Sequence, residues 1–249
     1  KAKKSNIHLE IKYQGKFETK YCQTFSKMMG GGYCDLVNSG TNALLCALAS
    51  LEIEPGSEVL VPVINDVGGV TPIIMLNLIP VPVDIEKSSY NTNLDEIKKK
   101  ITKKTKAVII CHIGGEPAKI DIIQKYLNKK KIFLIEDCSQ SHGAEYKNKK
   151  VGTFGDLSIF STMSSKHHCT GGTGGGVFSK NKKLISKVQQ FADRGKVFKN
   201  NKYTGKNTFI GLNCTLDDLS AAIGVVQLTK LNNIIKKTNL LGEYAKDNL

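Results

Sequence analysis

Lys166 stands in the stretch FSTMSSKHHC (residues 160–169), just ahead of the run Gly171-Gly172-Thr173-Gly174-Gly175-Gly176. A primary amine that leaves a buried strand among small residues can hold a carbonyl compound covalently and then move protons for it. His167 and His168 follow directly and offer imidazole bases at neighbouring positions. Upstream, Asp137 closes the apolar run IFLIED, with Gln140 shortly after it, and a carboxylate there can pair with a protonated ring nitrogen. The turn Asn38-Ser39-Gly40-Thr41 opens a helix, where unpaired N–H groups and hydroxyls can receive a phosphate. Plainer readings stand beside each of these. Asp137 and Ser39 also read as simple caps, and a single lysine is ordinarily solvated. The glycine run lacks the GK[ST] ending of a nucleotide loop and follows the lysine instead of opening a helix.

These residues need a scaffold, and hydrophobic periodicity supplies one. Residues 16–29 read as an amphipathic helix, 33–37 as a strand, 42–51 as an Ala- and Leu-rich helix and 58–62 as a strand. A helix over 67–77, a strand over 80–84, a helix over 94–101 and a strand over 107–112 follow. The alternation continues with a helix at 120–128 and strands at 132–137, 157–161 and 176–179. Short apolar runs alternating with helices imply an α/β fold with a mostly parallel sheet covered on both faces. In such sheets ligands sit beyond the carboxyl ends of the strands. The Ser39–Thr41 turn, Asp137, Gln140, Ser161 and Lys166 share that address.

With 249 residues, 40% hydrophobic and 23% charged, the chain can bury one sizeable core. The formal charge of +14 suggests nucleic acid, but the lysines are scattered over turns and helix faces, and Arg194 is the sole arginine. Nucleic-acid binding is therefore not expected. Seven cysteines, odd in number and without a CxxC pair, read as reduced thiols in a cytoplasmic protein. No run of 18 apolar residues predicts a membrane span. The chain starts at Lys1 and stops inside an amphipathic stretch, 228–249. The expected division is an N-terminal segment 1–15, a large domain 16–232, and the start of a connecting helix, 233–249, toward a small C-terminal domain.

Seven segments in order, NSGTNAL (38–44), EVLVP (58–62), PVPVD (80–84), HIGGEPAKID (112–121), IEDCSQSHGAEYKNKKVGTFGD (135–156), FSTMSSKHHCTGGTGGGVF (160–178) and GLNCTLDDLSAAIGVVQLTKL (211–231), carry a resemblance. The chain resembles the DegT/DnrJ/EryC1/StrS sugar aminotransferases, fold-type-I enzymes dependent on pyridoxal 5'-phosphate. The resemblance implies that Lys166, ten residues after Asp156, forms the internal aldimine. It implies that Asp137 pairs with the pyridine nitrogen, that Gln140 lies near the ring and its 3-hydroxyl, and that Gly40, Thr41 and Ser161 hold the phosphate. Asn213 matches an asparagine that reaches the cofactor phosphate of a neighbouring subunit, which implies a homodimer with shared active sites. The implied reaction moves an amino group from an amino acid such as glutamate to a keto sugar, nucleotide-linked, in amino-sugar or surface-glycan biosynthesis.

Two departures from the family pattern bear on that expectation. Counting forward from Asp156 selects Lys166, whereas counting back from Gly174-Gly175 selects His167. A branch of the family, the deoxysugar 3-dehydrases, carries histidine at this position and eliminates a hydroxyl. The upstream strand fixes where the side chain emerges while a glycine loop absorbs insertions, which favours Lys166. The second departure is Asn65-Asp66, where the family places an aromatic residue over the ring; a carboxylate cannot stack there. Asp66 and His168 are then expected near the substrate or ring. Besides the aminotransferase, a dehydrase using His167 and a non-catalytic relative remain as alternatives, and no metal is expected.

Overall fold

A computed structural model describes residues 15–199 and 202–248; of the expected N-terminal segment 1–15, all but Gly15 lie outside the described residues. The helices are α1 (Lys16–Met28), α2 (Gly40–Ser50), α3 (Thr71–Met75), α4 (Leu94–Lys100), α5 (Ile120–Lys130), α6 (Lys182–Ala192) and α7 (Asp218–Asn248). The strands are β1 (Tyr33–Val37), β2 (Glu58–Pro62), β3 (Ile79–Val83), β4 (Thr105–Cys111), β5 (Phe133–Asp137), β6 (Glu145–Tyr146), β7 (Lys149–Lys150), β8 (Leu157–Ser161), β9 (Gly175–Ser179), β10 (Lys196–Lys199) and β11 (Lys202–Asn207). Seven of them form one sheet in the order β1-β9-β8-β5-β4-β2-β3. β3, β2, β4, β5 and β8 pair in parallel, whereas β9 runs antiparallel to both β8 and β1. β6–β7 and β10–β11 are separate antiparallel hairpins.

Alternation along the strands assigns the layers. Ile109, Ile135, Ile159 and Val177 face α2 and α6. Val108, Ile110 and Leu134 face the other way, against Ile97 of α4 and Ile120, Ile123 and Leu127 of α5. On that same side Leu36, Phe160 and Phe178 meet Tyr21 and Phe25 of α1 and Leu228 of α7. A helix apolar all round must be internal, and α2 buries Ala43 through Leu48.

The expected elements match the observed ones within a few residues, with one exception. The expected helix 67–77 is divided into a 3-10 turn, Val67–Gly69, and the short α3. Gly68 and Gly69 weaken the first turn, and Pro72 belongs at a helix start, where its missing N–H is harmless. α7 continues without a break through positions 232 and 233.

The segment that follows β8 and carries Lys166 is held at both ends. Thr162 N–H donates to Gly174 O (2.8 Å), Ser164 N–H to Gly172 O (2.8 Å) and Thr170 N–H to Thr162 O (3.0 Å). The hydroxyls of buried Thr162 and Thr170 meet at 2.9 Å. A Cβ on Gly174 would lie 2.1 Å from Thr170 Oγ1, and one on Gly175 would lie 2.3 Å from Ser39 O. These two glycines therefore serve close packing. His168 is fully buried and bonds Tyr21 Oη through Nε2 (2.6 Å), which ties the segment to α1.

Burial depresses the pKa of His168 to about 4. Burial, and then the charges of His168, His167 and Lys166, depress that of His142 to about 3. Both rings are neutral when folded and become protonated on unfolding below about pH 6.5, so stability is lost as pH falls from about 6.5 toward 4. Each histidine contributes roughly 2 kcal/mol of destabilisation over that window, while buried Asp35, pushed up to about 7, contributes stability of opposite sign as pH falls. In a calorimetric pH series the double variant His142→Asn, His168→Gln should therefore lose less stability than the parent between about pH 6.5 and 4, a difference on the order of 10 °C in melting temperature.

Candidate active site

The carboxyl ends of β4, β5 and β8 and the start of α2 surround a cavity of about 210 Å³. Eight of the residues picked out from sequence line it: Ser39, Gly40, Thr41, Asp66, Asp137, Gln140, Ser161 and Lys166. Three do not. His167 is exposed outside it, and His168 is buried behind it against Tyr21. Asn213 is exposed, in a segment pinned by β-bridges from Asp193 to Asn213 and from Val37 to Thr215.

At one end of the cavity, the side chain of Ser39 caps α2 by accepting from Asn42 N–H (3.1 Å). The first N–H groups of a helix have no carbonyl within it to bind, so those of Gly40 and Thr41 face the helix start, where the dipole favours an anion. The backbone of Gly40 lies against Ser161 at the end of β8. A Cβ at position 40 would come within 2.8 Å of Ser161 Cβ. Glycine thus lets two amides and the hydroxyls of Thr41 and Ser161 converge on one anionic group.

At the other end Asp137 closes β5. Its Oδ1 accepts from Ser139 N–H (2.9 Å), and its Oδ2 faces the thiol of Cys111 at 3.8 Å. Burial raises the Asp137 carboxyl above its ordinary value, against the lowering effects of Ser139, His112 and Lys166. A carboxylate enclosed in this way is stabilised by a directly bound cation. Half-buried Lys166 lines the same cavity. Together these groups suit a ligand with an anionic group at one end, a cationic group at the other and a site open to an amine.

Two of these expected residues also brace the loops around the cavity. Gln140 Oε1 accepts from Gly114 N–H (2.8 Å), so the glutamine also ties the turn after β4 to the turn after β5. Asp66 is exposed and caps the 3-10 turn through Oδ1 to Gly68 N–H (2.7 Å). Asn65, Cys111, His112 and Ser139 complete the wall. Their position at strand ends is the signal that would have found them.

His112 Nδ1 accepts from Ala118 N–H (3.1 Å), so its proton sits on Nε2 and is donated to Glu136 Oε2 (3.1 Å). Fully buried Glu136 accepts three more donors, the N–H groups of Gly152 (2.8 Å), Phe154 (2.8 Å) and Gly155 (2.6 Å). Glu136, His112 and Cys138 lie close enough together to suggest metal ligation. Both imidazole nitrogens and both carboxylate oxygens are nevertheless engaged within the protein, which makes the cluster a structural knot.

The sequence pattern described as the DegT/DnrJ/EryC1/StrS aminotransferase family matches residues 4–249. The chain is 35% identical to GDP-perosamine synthase of Vibrio cholerae over 238 residues, covering 96% of this chain and 63% of that protein. In structure it resembles the E. coli GDP-4-keto-6-deoxy-D-mannose-3-dehydratase with bound hydrated PLP: TM-score 0.87, 28% identity, 94% of this chain and 65% of the other. It also resembles the aminotransferase from Psychrobacter cryohalolentis: TM-score 0.84, 28% identity, 88% of this chain and 57% of the other. The chain thus spans under two thirds of the length of each of these proteins.

Glu136→Gln keeps the side-chain volume but turns an N–H₂ group toward protein donors. Unfolding in urea is expected to show a loss of about 3 kcal/mol, since a buried network that loses one acceptor leaves donors unpaired. Stability within about 0.5 kcal/mol of the parent would remove Glu136 from this role.

Proposed function

This chain belongs to the DegT/DnrJ/EryC1/StrS aminotransferase family, and from that premise we propose that it is a pyridoxal-phosphate-dependent aminotransferase acting on a keto sugar carried by a nucleotide, with glutamate as amino donor. The observation that carries this reading is the convergence of Lys166, Asp137 and the Gly40–Thr41–Ser161 cradle on one cavity. In this reading residues 16–232 form the cofactor-binding unit, and 233–249 lead toward a further small domain.

The residues present suit the cofactor. Asp137, enclosed and lacking a strong cationic partner at Oδ2, fits a protonated pyridine nitrogen. The cradle that only a glycine at position 40 allows fits the phosphate. Pyridoxal phosphate, when bound, supplies an electron sink that makes the proton beside a substrate nitrogen removable. Asp137 would hold the ring nitrogen protonated, and Gly40, Thr41 and Ser161 would orient the ring by its phosphate. Lys166 would attach to the cofactor aldehyde, yield that position to the donor amine, and as a free amine move a proton between the donor's alpha carbon and the cofactor.

Gln140, held by its bond to Gly114, would stand beside the ring and its 3-hydroxyl. Asp66 would face substrate at the mouth instead of covering the ring. Asn213 would serve the phosphate of a second copy. Exposed Ile210 and Leu212 beside it, and exposed Val67 next to Asp66, support a homodimer that shares its sites. A net charge of +14 suits a diphosphate-bearing substrate. Its seven free cysteines suit the cytoplasm, and among the described residues no helix is long and apolar enough to cross a membrane.

Loaded with pyridoxal phosphate, the protein is expected to be yellow, and borohydride should fix a pyridoxyl group on the peptide containing Lys166. Lys166→Ala should lose the colour and about 10³-fold or more in turnover, whereas His167→Ala should keep both. Bound cofactor that borohydride does not fix, together with turnover that depends on His167, would transfer the chain to the sugar dehydrases. Failure to bind any cofactor would make it a non-catalytic relative.

A further inference from the structure

Cys111 and Asp137 are Cα partners in parallel register at the carboxyl ends of β4 and β5. Paired residues of neighbouring parallel strands leave the sheet on the same face, and both side chains line the cavity. Cys111 is 4% exposed, and its Sγ lies 3.8 Å from Asp137 Oδ2, within the range of a thiol hydrogen bond. The other carboxylate oxygen is taken by Ser139 N–H (2.9 Å).

From this geometry we infer that Cys111 is a positioning residue for the ring-binding carboxylate: its thiol donates to Asp137 Oδ2, fixes the carboxylate plane and keeps Asp137 ionised at the cavity floor. The inference rests on the reading that the cavity takes pyridoxal phosphate. Burial first, and then the charge of Asp137, push the Cys111 thiol well up, so it keeps the proton it donates. Ser139, through its side chain and its amide, His112 just after β4 and Lys166 beyond β8 also act on Asp137, and all lower its pKa. Cys138, next in the chain, packs in the core on the α1 and α7 side. Among the described residues the Cys111 thiol thus bonds Oδ2, as a weak donor, beside the amide and side chain of Ser139.

The pairing of Asp137 with a protonated ring nitrogen requires an ionised carboxylate. Cofactor affinity should therefore fall on the acid side, where Asp137 takes up a proton. The test is the dissociation constant of pyridoxal phosphate, measured from about pH 5 to 8 by absorbance or fluorescence titration, for the full chain and two variants. The free cofactor's own titrations are common to all three proteins and cancel in the comparison. Cys111→Val keeps the shape and removes the donor. A lost donor to the charged form raises the carboxyl pKa, so the acid limb should move up by about half to one pH unit. Cys111→Ser keeps a donor and should leave the limb within about 0.2 unit.

Superimposable limbs for the valine variant and the parent would overturn the inference. So would a shift in the serine variant equal to that in valine, or a loss of affinity that is uniform at every pH, both of which mark packing alone. A parent protein that binds no cofactor defeats the reading of the site and the inference with it. A parent that is fixed at Lys166, beside a valine variant with an unchanged profile, defeats only the inference.

Discussion

A carboxylate sealed from water must have its acceptor positions filled from within the protein, and Glu136 meets that requirement with the imidazole of His112 and three consecutive-region amides at 152, 154 and 155. The arrangement joins three parts of the chain. His112 follows β4, Glu136 precedes Asp137 in β5, and the amides belong to the loop that leads into β8. Because strand neighbours point to opposite faces, the side chain of Glu136 is spent on this knot while that of Asp137 emerges into the cavity. The position of the cavity floor is thereby tied to the most enclosed hydrogen-bond centre of the sheet.

Close approach is the second constraint. The backbone of β9 runs against the Ser39–Gly40 turn, and Gly40 against Ser161, with no room for a Cβ at Gly175 or Gly40. These contacts bring the first amides of α2, the end of β8 and the loop after it into one cluster. The paired hydroxyls of Thr162 and Thr170 and the bond from His168 to Tyr21 then hold the segment carrying Lys166. The two buried histidines contribute to that enclosure only while neutral, so the same packing that shapes the site makes it sensitive to acid.

Asn65 and Asp66 line the cavity where the resemblance implies an aromatic side chain. Asp66 uses one carboxylate oxygen to cap the 67–69 turn, which explains why a short acidic residue suits the backbone there. The cavity is therefore organised by hydrogen bonds and charge at its ends more than by an apolar lid near Asp66. In such a setting the thiol of Cys111 acts on Asp137 beside the amide and side chain of Ser139.

Much of this was legible in the sequence. Apolar runs of strand length separated by helical periods implied the mostly parallel sheet, and Ser39, Asp137, Ser161 and Lys166 were marked by their place at the ends of those runs. The division of 67–77 was less legible, because two glycines and a proline act through local geometry that hydrophobic spacing does not register. Counting along the chain left Lys166 and His167 as alternatives. Only the folded loop decided that Lys166 lines the cavity and His167 faces solvent, since an insertion is absorbed where the backbone turns. Likewise Cys111 and His112 read as the end of an apolar strand until the register of β4 on β5 set one beside Asp137 and the other on Glu136. Residue type and period determine the elements and their faces; which side chains meet across strands depends on register and close packing, and these exist only once the sheet has formed.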